Sequence, residues 1–396
     1  MKNVVIIGGG IIGNFIAYYL SGRDINITVI DDQPSMLPAS YGNCGLITPS
    51  HIMPLNRWSY IFQGLKWLGN KQAPLRIKPQ PDTAFLSWFI AFTLYSNAFS
   101  RNKAANKRHR LLTGSWELYK HFFEDEQVNC NWKSEGVLYA CSSEKGFKSL
   151  AEEAAFLDKF RLSNEVLSKN ELLQLESSLT DRVIGGAIFS IDGWLNPSEL
   201  IDNLQKVNAR KGISYLQEYV LDFNTSERKI EHLETDAGKM DVCQVVIANG
   251  AKSPLLAKKL GIHLPIIPGK GYNITYHKKL ENQPQRPVYM VEKKVVATPW
   301  ESGFRLGSTM EFSGYDLKLD ELRLSALKEA SATYLKTDLK NEKYTPWAGW
   351  RPMTSNELPI IKTSKKYHNL IFATGHGMLG LSMAPMTGYI VNEMLQ

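Results

Sequence analysis

A glycine-rich turn near the amino terminus constrains the fold of this chain more than any other feature. Val4 to Ile7 is a short β-branched run, typical of a buried parallel strand. The sequence Gly8-x-Gly10-x-x-Gly13 follows it directly, and apolar residues then recur at helical spacing as far as Leu20. Together they predict the start of a βαβ unit whose bare backbone NH groups and helix N-terminus can approach a pyrophosphate.

Two acidic residues follow the next predicted strand. Asp31 comes 31 minus 13, or 18, residues after the last glycine, which suits a carboxylate accepting hydrogen bonds from ribose hydroxyls. Asp32 is a second candidate, and Ile11 and Ile12 complete the predicted cofactor-binding turn. A glycine turn with merely solvated acids is the alternative. Strand, helix and acid in register favour a dinucleotide site, without distinguishing FAD from NAD.

Composition excludes several classes of protein. The 396 residues carry a formal net charge of +7, with 43% hydrophobic and 21% charged residues, as in an ordinary globular protein. The 4 cysteines form no Cys-x-x-Cys pair and the 8 histidines no ligand pattern, so we predict no metal. No nucleic-acid-binding signature accompanies the positive charge. The first apolar run is too short for a signal peptide, so we expect a cytoplasmic protein.

The order of predicted elements indicates a mixed α/β fold. Val242 to Ala248 and Asn369 to Ala373 are predicted buried strands, and Ile266 to Leu306 alternates in the strand period with Gly and Pro breaks. We predict a discontinuous, Rossmann-like nucleotide-binding domain built from residues 1–50, 145–265 and 355–396. An inserted α+β substrate domain with a mostly antiparallel sheet is predicted for residues 51–144 and 266–354.

A second glycine turn lies near the carboxyl terminus. Gly375, Gly377 and Gly380 join the last predicted strand to the closing helix, so this turn can also present backbone NH groups to a ligand. An extended flavin cofactor needs two such contacts, one for its diphosphate and one for the ribityl chain and pyrimidine edge. NAD would use the first turn and leave the second without a ligand.

Five motifs in order make the chain similar to a known family. They are the amino-terminal glycine turn, the loop Ala39 to Leu46, the segment Val246 to Ala251, the segment Gly349 to Thr354 and the turn Gly375 to Gly380. The chain resembles the FAD-dependent D-amino-acid oxidase superfamily, and within it the D-amino-acid dehydrogenase small-subunit group. The resemblance spans nearly the whole chain and implies non-covalently bound FAD.

The resemblance also implies further cofactor contacts. Val220 is expected to touch the adenine through its backbone. The other implied contacts are Asn43, Cys44, Gly45 and Leu46 along the isoalloxazine, Asn249 and Gly250 in the middle motif, and Gly377, Met378, Leu379 and Gly380 on the pyrimidine side. Cys44 replaces the usual small residue of the family. A packed thiol is favoured over a covalent flavin link.

The implied reaction is oxidative deamination of a D-amino acid to a 2-oxo acid through an imine, with hydride passing from the substrate Cα to flavin N5. Flavin supplies the difficult chemistry, so the protein must mainly orient the substrate. Arg351, in the Gly-aromatic-Arg-Pro context, matches the residue that holds the substrate carboxylate. Tyr272 could assist it or be a buried structural tyrosine. His51 could face the substrate or be bonded by neighbouring backbone.

An apolar stretch with a basic continuation lies between residues 83 and 110. Residues 83–100 have no charged side chain, and five basic residues follow within ten positions. A buried helix over the active site is favoured over an interfacial helix on anionic lipid, and both over a membrane span. Family members of the dehydrogenase type pass electrons to the respiratory chain, which implies a membrane quinone as acceptor and peripheral attachment to the inner membrane.

Other activities stay open at this stage. The sequence Pro49-Ser50-His51, which follows the loop Ala39 to Leu46, resembles the corresponding sequence of enzymes that act on D-hydroxyproline, a cyclic amine. An oxidase using oxygen and an NAD-dependent dehydrogenase are alternative enzymes. A non-enzyme alternative is a membrane-surface binding module that keeps FAD as a structural group.

Overall fold

A computed structural model describes residues 2–32, 38–58, 61–62, 64, 73–78 and 82–395. In these ranges the strands are β1 Lys2–Ile7, β2 Ile25–Asp31, β3 Leu46–Ile47, β4 Leu75–Ile77, β5 Val137–Cys141, β6 Glu165–Ser168, β7 Gly185–Phe189, β8 Gly193–Trp194, β9 Ser214–Gln217, β10 Val220–Ser226, β11 Lys229–Thr235, β12 Gly238–Asp241, β13 Gln244–Ile247, β14 Ile266–Tyr276, β15 Val288–Met290, β16 Val295–Trp300, β17 Gly303–Phe312, β18 Thr345–Thr354, β19 Ile360–Thr363 and β20 Leu370–Thr374. The helices are α1 Ile11–Leu20, α2 Thr83–Leu94, α3 Ala98–Glu126, α4 Glu144–Asp158, α5 Lys169–Leu175, α6 Pro197–Arg210, α7 Ser253–Lys259, α8 Glu321–Tyr334 and α9 Gly380–Met394.

The first sheet is assembled from distant parts of the chain. Its strand order is β19-β20-β13-β1-β2-β9, and all pairs are parallel except the edge pair of β19 with β20. Strands β1 and β2 come from the amino terminus, β9 and β13 from the middle and β20 from the carboxyl terminus. This confirms the discontinuous Rossmann-like sheet.

Helices cover one face of the parallel sheet. Helix α1 packs against α9 at very short range, since a Cβ placed on Gly388 would lie 2.5 Å from the carbonyl oxygen of Phe15. The carboxyl-terminal half of α3 joins this layer, and the Tyr119 hydroxyl donates to the carbonyl of Leu381 at 2.8 Å. The closing helix is therefore held between the first helix and a helix from the inserted segment.

The second sheet has nine strands and is mostly antiparallel, as expected for the substrate domain. Its order is β18-β14-β17-β16-β15-β5-β7-β6, with β4 beside β17, and only β15 with β5 and β17 with β4 are parallel. Helix α8 packs on one face of this sheet around Ile274, Phe304 and Leu327. The opposite face, called the cavity face below, borders the cavity described next.

Sheet membership differs from the predicted division in one region. Strands β6 and β7 lie within the predicted 145–265 segment of the nucleotide-binding domain, yet β7 pairs with β5 in the second sheet and β6 pairs with β7. A short buried strand carries no sign of which sheet it joins, because the alternation of its side chains is the same in both. Pairing with the preceding β5 by an antiparallel ladder places both strands in the larger sheet.

Candidate active site

One large cavity of about 830 Å³ is bordered by residues of both glycine turns. At one end it is lined by Gly8, Gly10, Ile11 and Ile12, with Asp31 and Asp32 beside them. At the other it is lined by Gly377, Met378, Leu379 and Gly380. The two ends of the chain therefore converge on one elongated space, and this is the geometry an extended dinucleotide requires.

The first turn needs glycine for steric reasons. Gly8 adopts a φ of 118°, and a Cβ there would lie 2.7 Å from the carbonyl carbon of Ala248. A Cβ on Gly13 would collide with the carbonyl oxygen of Gly8. Gly13 does not line the cavity itself; its role is to let helix α1 start close to the turn, with the helix N-terminus directed at the cavity.

The pKa values of the two acidic residues at this end are shifted in opposite directions. Asp31 accepts a hydrogen bond from the Gly9 NH at 2.9 Å, and burial together with neighbouring Asp32 raises the pKa of Asp31 to about 6. Asp32 forms an ion pair with Lys252. Burial opposes ionisation of Asp32, but the hydrogen bond and charge of Lys252 lower its pKa overall. Asp31 is thus the acid whose protonation responds to mildly acidic pH.

The loop of residues 39–46, called the flavin loop below, is fixed by hydrogen bonds within the loop and by hydrogen bonds from the second sheet. Within it, the Gly45 NH donates to Asn43 Oδ1 at 2.7 Å. From strand β17, Arg305 Nη1 donates to the carbonyls of Tyr41 at 3.0 Å and Asn43 at 2.5 Å. Sequence reasoning missed Arg305, although a lone arginine inside an apolar strand is a detectable signal, because a buried guanidinium requires acceptors. Asn43, Cys44 and Leu46 line the cavity.

The Cys44 side chain lies directly over the sheet. A Cβ on Gly307 would lie 2.5 Å from its Sγ. Burial raises the pKa of the thiol, against the opposing charges of Arg305 and Arg351. A protonated thiol is a poor nucleophile, which favours the packed role over a covalent flavin link.

Glycines on the cavity face make room for Arg351. Gly269 and Gly271 on β14 pair with Arg351 and Gly349 on β18. A Cβ on Gly271 would lie 2.5 Å from the Arg351 guanidinium, so this side chain lies flat across the glycine. Nη1 of Arg351 donates to the carbonyl of Thr309 at 2.6 Å, which fixes the guanidinium in the cavity wall.

Tyr272 points away from Arg351. Successive strand residues face opposite sides of a sheet, and Gly271 is on the cavity face with Arg351. Tyr272 borders the cavity, but its ring packs in the core beneath α8 and its hydroxyl donates to buried Glu311 at 3.3 Å. The structure therefore does not bring the Tyr272 hydroxyl to the guanidinium, and it favours the buried structural role. Burial and Glu311 raise the pKa of Tyr272 above its usual range.

His51 lines the cavity, and the side chain of Tyr139, not neighbouring backbone, is the hydrogen-bond partner of its Nε2. Its Nε2 lies 2.5 Å from the Tyr139 hydroxyl, and its carbonyl accepts from Arg108 Nη2 at 2.7 Å. Burial, and then the charges of Arg108 and Lys294, lower the pKa of His51 to about 4. The imidazole is therefore neutral at physiological pH.

The remaining predicted contacts lie at the expected ends of the cavity, with two exceptions. Asn249 and Gly250 line it, whereas Val220 is buried in a hydrophobic cluster and its neighbour Tyr219 lines the cavity instead. Gly45 supports the flavin loop from outside the lining, with a φ of 72°. The adenine contact of Val220 stays a prediction.

An aromatic wall closes the cavity on the side of α2. Phe85, Trp88, Phe89 and Phe92 line it together with Phe312 of β17. Trp88 is anchored by a hydrogen bond from its Nε1 to the carbonyl of Met353 at 2.9 Å. The helix borders the cavity as expected, but the prediction that it is buried is wrong, because Trp88 is the only buried residue of Thr83–Leu94.

The outer side of the same segment is exposed and apolar. Leu94 is 70% exposed and Phe99 78%, and Leu86 and Ile90 are also exposed. In the basic continuation Lys103, Lys107 and Arg110 are exposed, whereas Arg108 is buried and pairs with Glu357 at 3.3 Å. Among the helices described, none has the length and apolar character needed to cross a bilayer.

FAD fits this cavity on structural grounds. Its diphosphate end would meet Gly8 to Ile12, where side chains are absent or turned away, and its isoalloxazine end would meet the flavin loop and Gly377 to Gly380. Acids at the ribose end and glycines at both turns match the parts of the cofactor in order.

Sequence comparison agrees with this geometry. A family model described as FAD dependent oxidoreductase, DAO, matches residues 3–394. The chain is 26% identical to a D-amino acid dehydrogenase of Helicobacter pylori, covering 100% of this chain and 95% of that protein. It is 29% identical to a D-amino acid dehydrogenase of Bradyrhizobium diazoefficiens, covering 99% of this chain and 94% of the relative.

Solved structures share the fold. Glycine oxidase from Bacillus cereus superposes with a TM-score of 0.78 at 19% identity, covering 99% of this chain and 96% of the other. L-proline dehydrogenase from P. horikoshii gives 0.77 at 20% identity, covering 100% and 93%. An L-α-glycerophosphate oxidase from Mycoplasma pneumoniae with FAD bound gives 0.73 at 17% identity, covering 100% and 95%.

The raised pKa of Asp31 predicts a pH-dependent affinity for FAD. The ionised carboxylate accepts hydrogen bonds from ribose hydroxyls, so affinity should be constant above about pH 6 and fall by up to tenfold per pH unit below it. Titration of apoprotein with FAD, followed by flavin fluorescence, measures this. Asp31→Asn should remove the inflection, and Asp32→Asn should move it to lower pH by deleting a negative neighbour. Identical curves for all three proteins would refute this assignment.

Proposed function

We propose, from the premise that this chain belongs to the DAO family of FAD-dependent oxidoreductases, that it oxidises D-amino acids to imines, which hydrolyse to 2-oxo acids. The protein is an FAD-dependent amino-acid oxidoreductase. The preference for D-amino acids is supported by full-length relatives named D-amino acid dehydrogenase, at 26% and 29% identity.

The observation that carries the proposal is the position of Arg351. Its guanidinium lies flat over Gly271 in the wall of the same cavity that both glycine turns border. An amino acid presents a planar carboxylate, and an arginine fork is the side chain best suited to hold one by two hydrogen bonds. Burial lowers the pKa of Arg351, yet a guanidinium stays charged in proteins.

The division of work between cofactor and protein follows from this. Bound FAD supplies the acceptor for the hydride from the substrate Cα. Arg351 orients the substrate by its carboxylate, and the aromatic wall of α2 keeps water out. The same wall of Phe85, Trp88 and Phe89 would contact the substrate side chain, which favours apolar over charged amino acids.

An anaerobic reduction experiment tests the activity. The purified protein should be yellow, and its flavin absorbance should bleach on adding D-amino acids with apolar side chains, faster than with D-aspartate or L-amino acids. D-Hydroxyproline belongs in the same panel as the cyclic-amine alternative. Reoxidation of the reduced flavin by oxygen, compared with its anaerobic reoxidation by an added quinone, separates an oxidase from a dehydrogenase. A flavin that no amino or imino acid bleaches would remove the proposal.

Substitution of Arg351 tests the carboxylate contact. Arg351→Lys keeps a positive charge but loses the planar two-bond fork, so KM should rise about 10- to 100-fold, the range for losing a hydrogen bond to a charged group. The flavin spectrum should be unchanged, because FAD contacts lie elsewhere. Arg182→Lys, on the exposed surface, serves as the matched control. An unaltered KM in Arg351→Lys would exclude this residue from substrate binding.

We also propose that the outer face of α2 rests on an anionic membrane, where a quinone accepts the electrons. Leu86, Ile90, Leu94 and Phe99 form an exposed apolar surface on the segment whose inner side lines the cavity. Three exposed basic residues, Lys103, Lys107 and Arg110, follow on α3. Apolar insertion with adjacent positive charge is the pattern that binds anionic lipid surfaces.

Vesicle flotation tests this contact. The protein should float with phosphatidylglycerol vesicles and less with phosphatidylcholine vesicles. Leu94→Glu with Phe99→Glu should reduce flotation at least tenfold, since each buried apolar side chain contributes about 1.5–3 kcal/mol. Leu322→Glu alters an exposed apolar residue outside this segment and is the control. Equal flotation of the double variant and the parent would show that this face does not touch lipid.

A further inference from the structure

A fully buried carboxylate lies behind the cavity without a role in the chemistry described so far. Asp192 sits in the turn between β7 and β8 with 0% exposure. Its Oδ1 accepts from the Ser50 NH at 2.9 Å and its Oδ2 accepts from Ser50 Oγ at 2.6 Å. Burial raises the pKa of Asp192 to about 7, opposed by these two hydrogen bonds. Such a carboxyl group changes protonation at physiological pH.

Ser50 lies between this carboxylate and a side chain of the cavity wall. It lowers the pKa of Tyr139, and the Tyr139 hydroxyl lies 2.5 Å from His51 Nε2. His51 and Tyr139 line the cavity, whereas Asp192 does not. The four groups are neighbours in the order His51, Tyr139, Ser50, Asp192, with hydrogen bonds at both ends of the series. Each of the first three can donate a proton to the next in the direction of Asp192.

We propose that this chain of His51, Tyr139, Ser50 and Asp192 is a proton relay that accepts the ammonium proton of the bound amino acid. The inference rests on the proposed function, because hydride can leave the substrate Cα only when the amine is neutral. One proton passes from the ammonium nitrogen to His51 Nδ1, and the proton on Nε2 moves to Tyr139. The Tyr139 proton moves to Ser50 and the Ser50 proton to Asp192. The ammonium becomes an amine, the carboxylate becomes a carboxylic acid, and no electrons move in this step.

The charges around His51 explain why the proton does not stay there. Arg108 and Lys294 both disfavour a positive imidazolium. The negative charge of Glu357 is engaged by Arg108, in an ion pair of 3.3 Å. His51 therefore passes a proton on better than it holds one.

The groups around Tyr139 and Asp192 leave the carboxylate as the terminal acceptor. Burial raises the pKa of Tyr139 most, and Asp192, Tyr289 and Glu153 raise it further. Tyr139 therefore cannot give up its proton without receiving another, as a relay requires. Ser50 is the group that lowers the pKa of Asp192, and burial is what raises it.

The pH dependence of anaerobic flavin reduction tests the relay. In the parent protein the rate with a D-amino acid should rise with pH and level off near pH 7, as Asp192 ionises. Asp192→Asn keeps the size of the side chain and one of its two acceptor oxygens, but its amide group cannot take up the proton. It should lose this inflection and reduce flavin about 100-fold more slowly at pH 8. A pH dependence that comes from the substrate's own ammonium group would be seen in both the parent protein and Asp192→Asn.

Two further variants keep the test decisive. Tyr139→Phe interrupts the chain without altering the carboxylate and should lose the same inflection, which decides the matter if Asp192→Asn does not fold. Tyr289→Phe removes a neighbouring cavity hydroxyl outside the chain and should retain it. A parent-like pH profile in Asp192→Asn or Tyr139→Phe overturns the relay. Failure of every D-amino acid to reduce the parent's flavin overturns the proposed function instead, so the two failures are distinguishable.

Discussion

The parallel pairing of β13 with both β1 and β20 is the constraint on which the rest of the site depends. Ile247 of β13 is in register with Ile7 on one side and Phe372 on the other. Because the strands are parallel, all three end at the same edge of the sheet, and the glycine turns that follow β1 and β20 meet there. Segments more than 360 positions apart thus share one cavity.

The cavity face of the second sheet forms the wall of the cavity that carries Arg351 and borders Cys44. Glycines at 269, 271, 307 and 349 leave that face without Cβ atoms, so that Cys44 and Arg351 can lie flat against it. A bulge where β14 pairs with β17, with Thr309 at a φ of 61°, shifts the alternation. Gly307 and Met310 therefore both face the cavity, although a regular strand would place them on opposite sides.

Much of the fold could be predicted because its signals are local. Strand β1, the glycine turn and α1 lie where their sequence pattern placed them, and the closing helix begins at Gly380, the last glycine of the second turn. The cofactor end of the site was accessible for the same reason, since Gly8 and Asp31 act through backbone geometry and a fixed spacing. Strands β6 and β7 were predicted to belong to the nucleotide-binding domain, because the sequence of a strand does not show which other strand it pairs with.

The sequence by itself determined the two glycine turns and singled out Arg351, the arginine proposed to hold the substrate carboxylate, because each lies in a motif of residues adjacent in the chain. Only the tertiary structure decided which way Tyr272 points and that Arg305 anchors the flavin loop. It alone also joins Asp192 to His51, 141 positions away (192 minus 51), through Ser50 and Tyr139. These relations depend on strand register and on contacts between distant segments, and neither is encoded in local spacing.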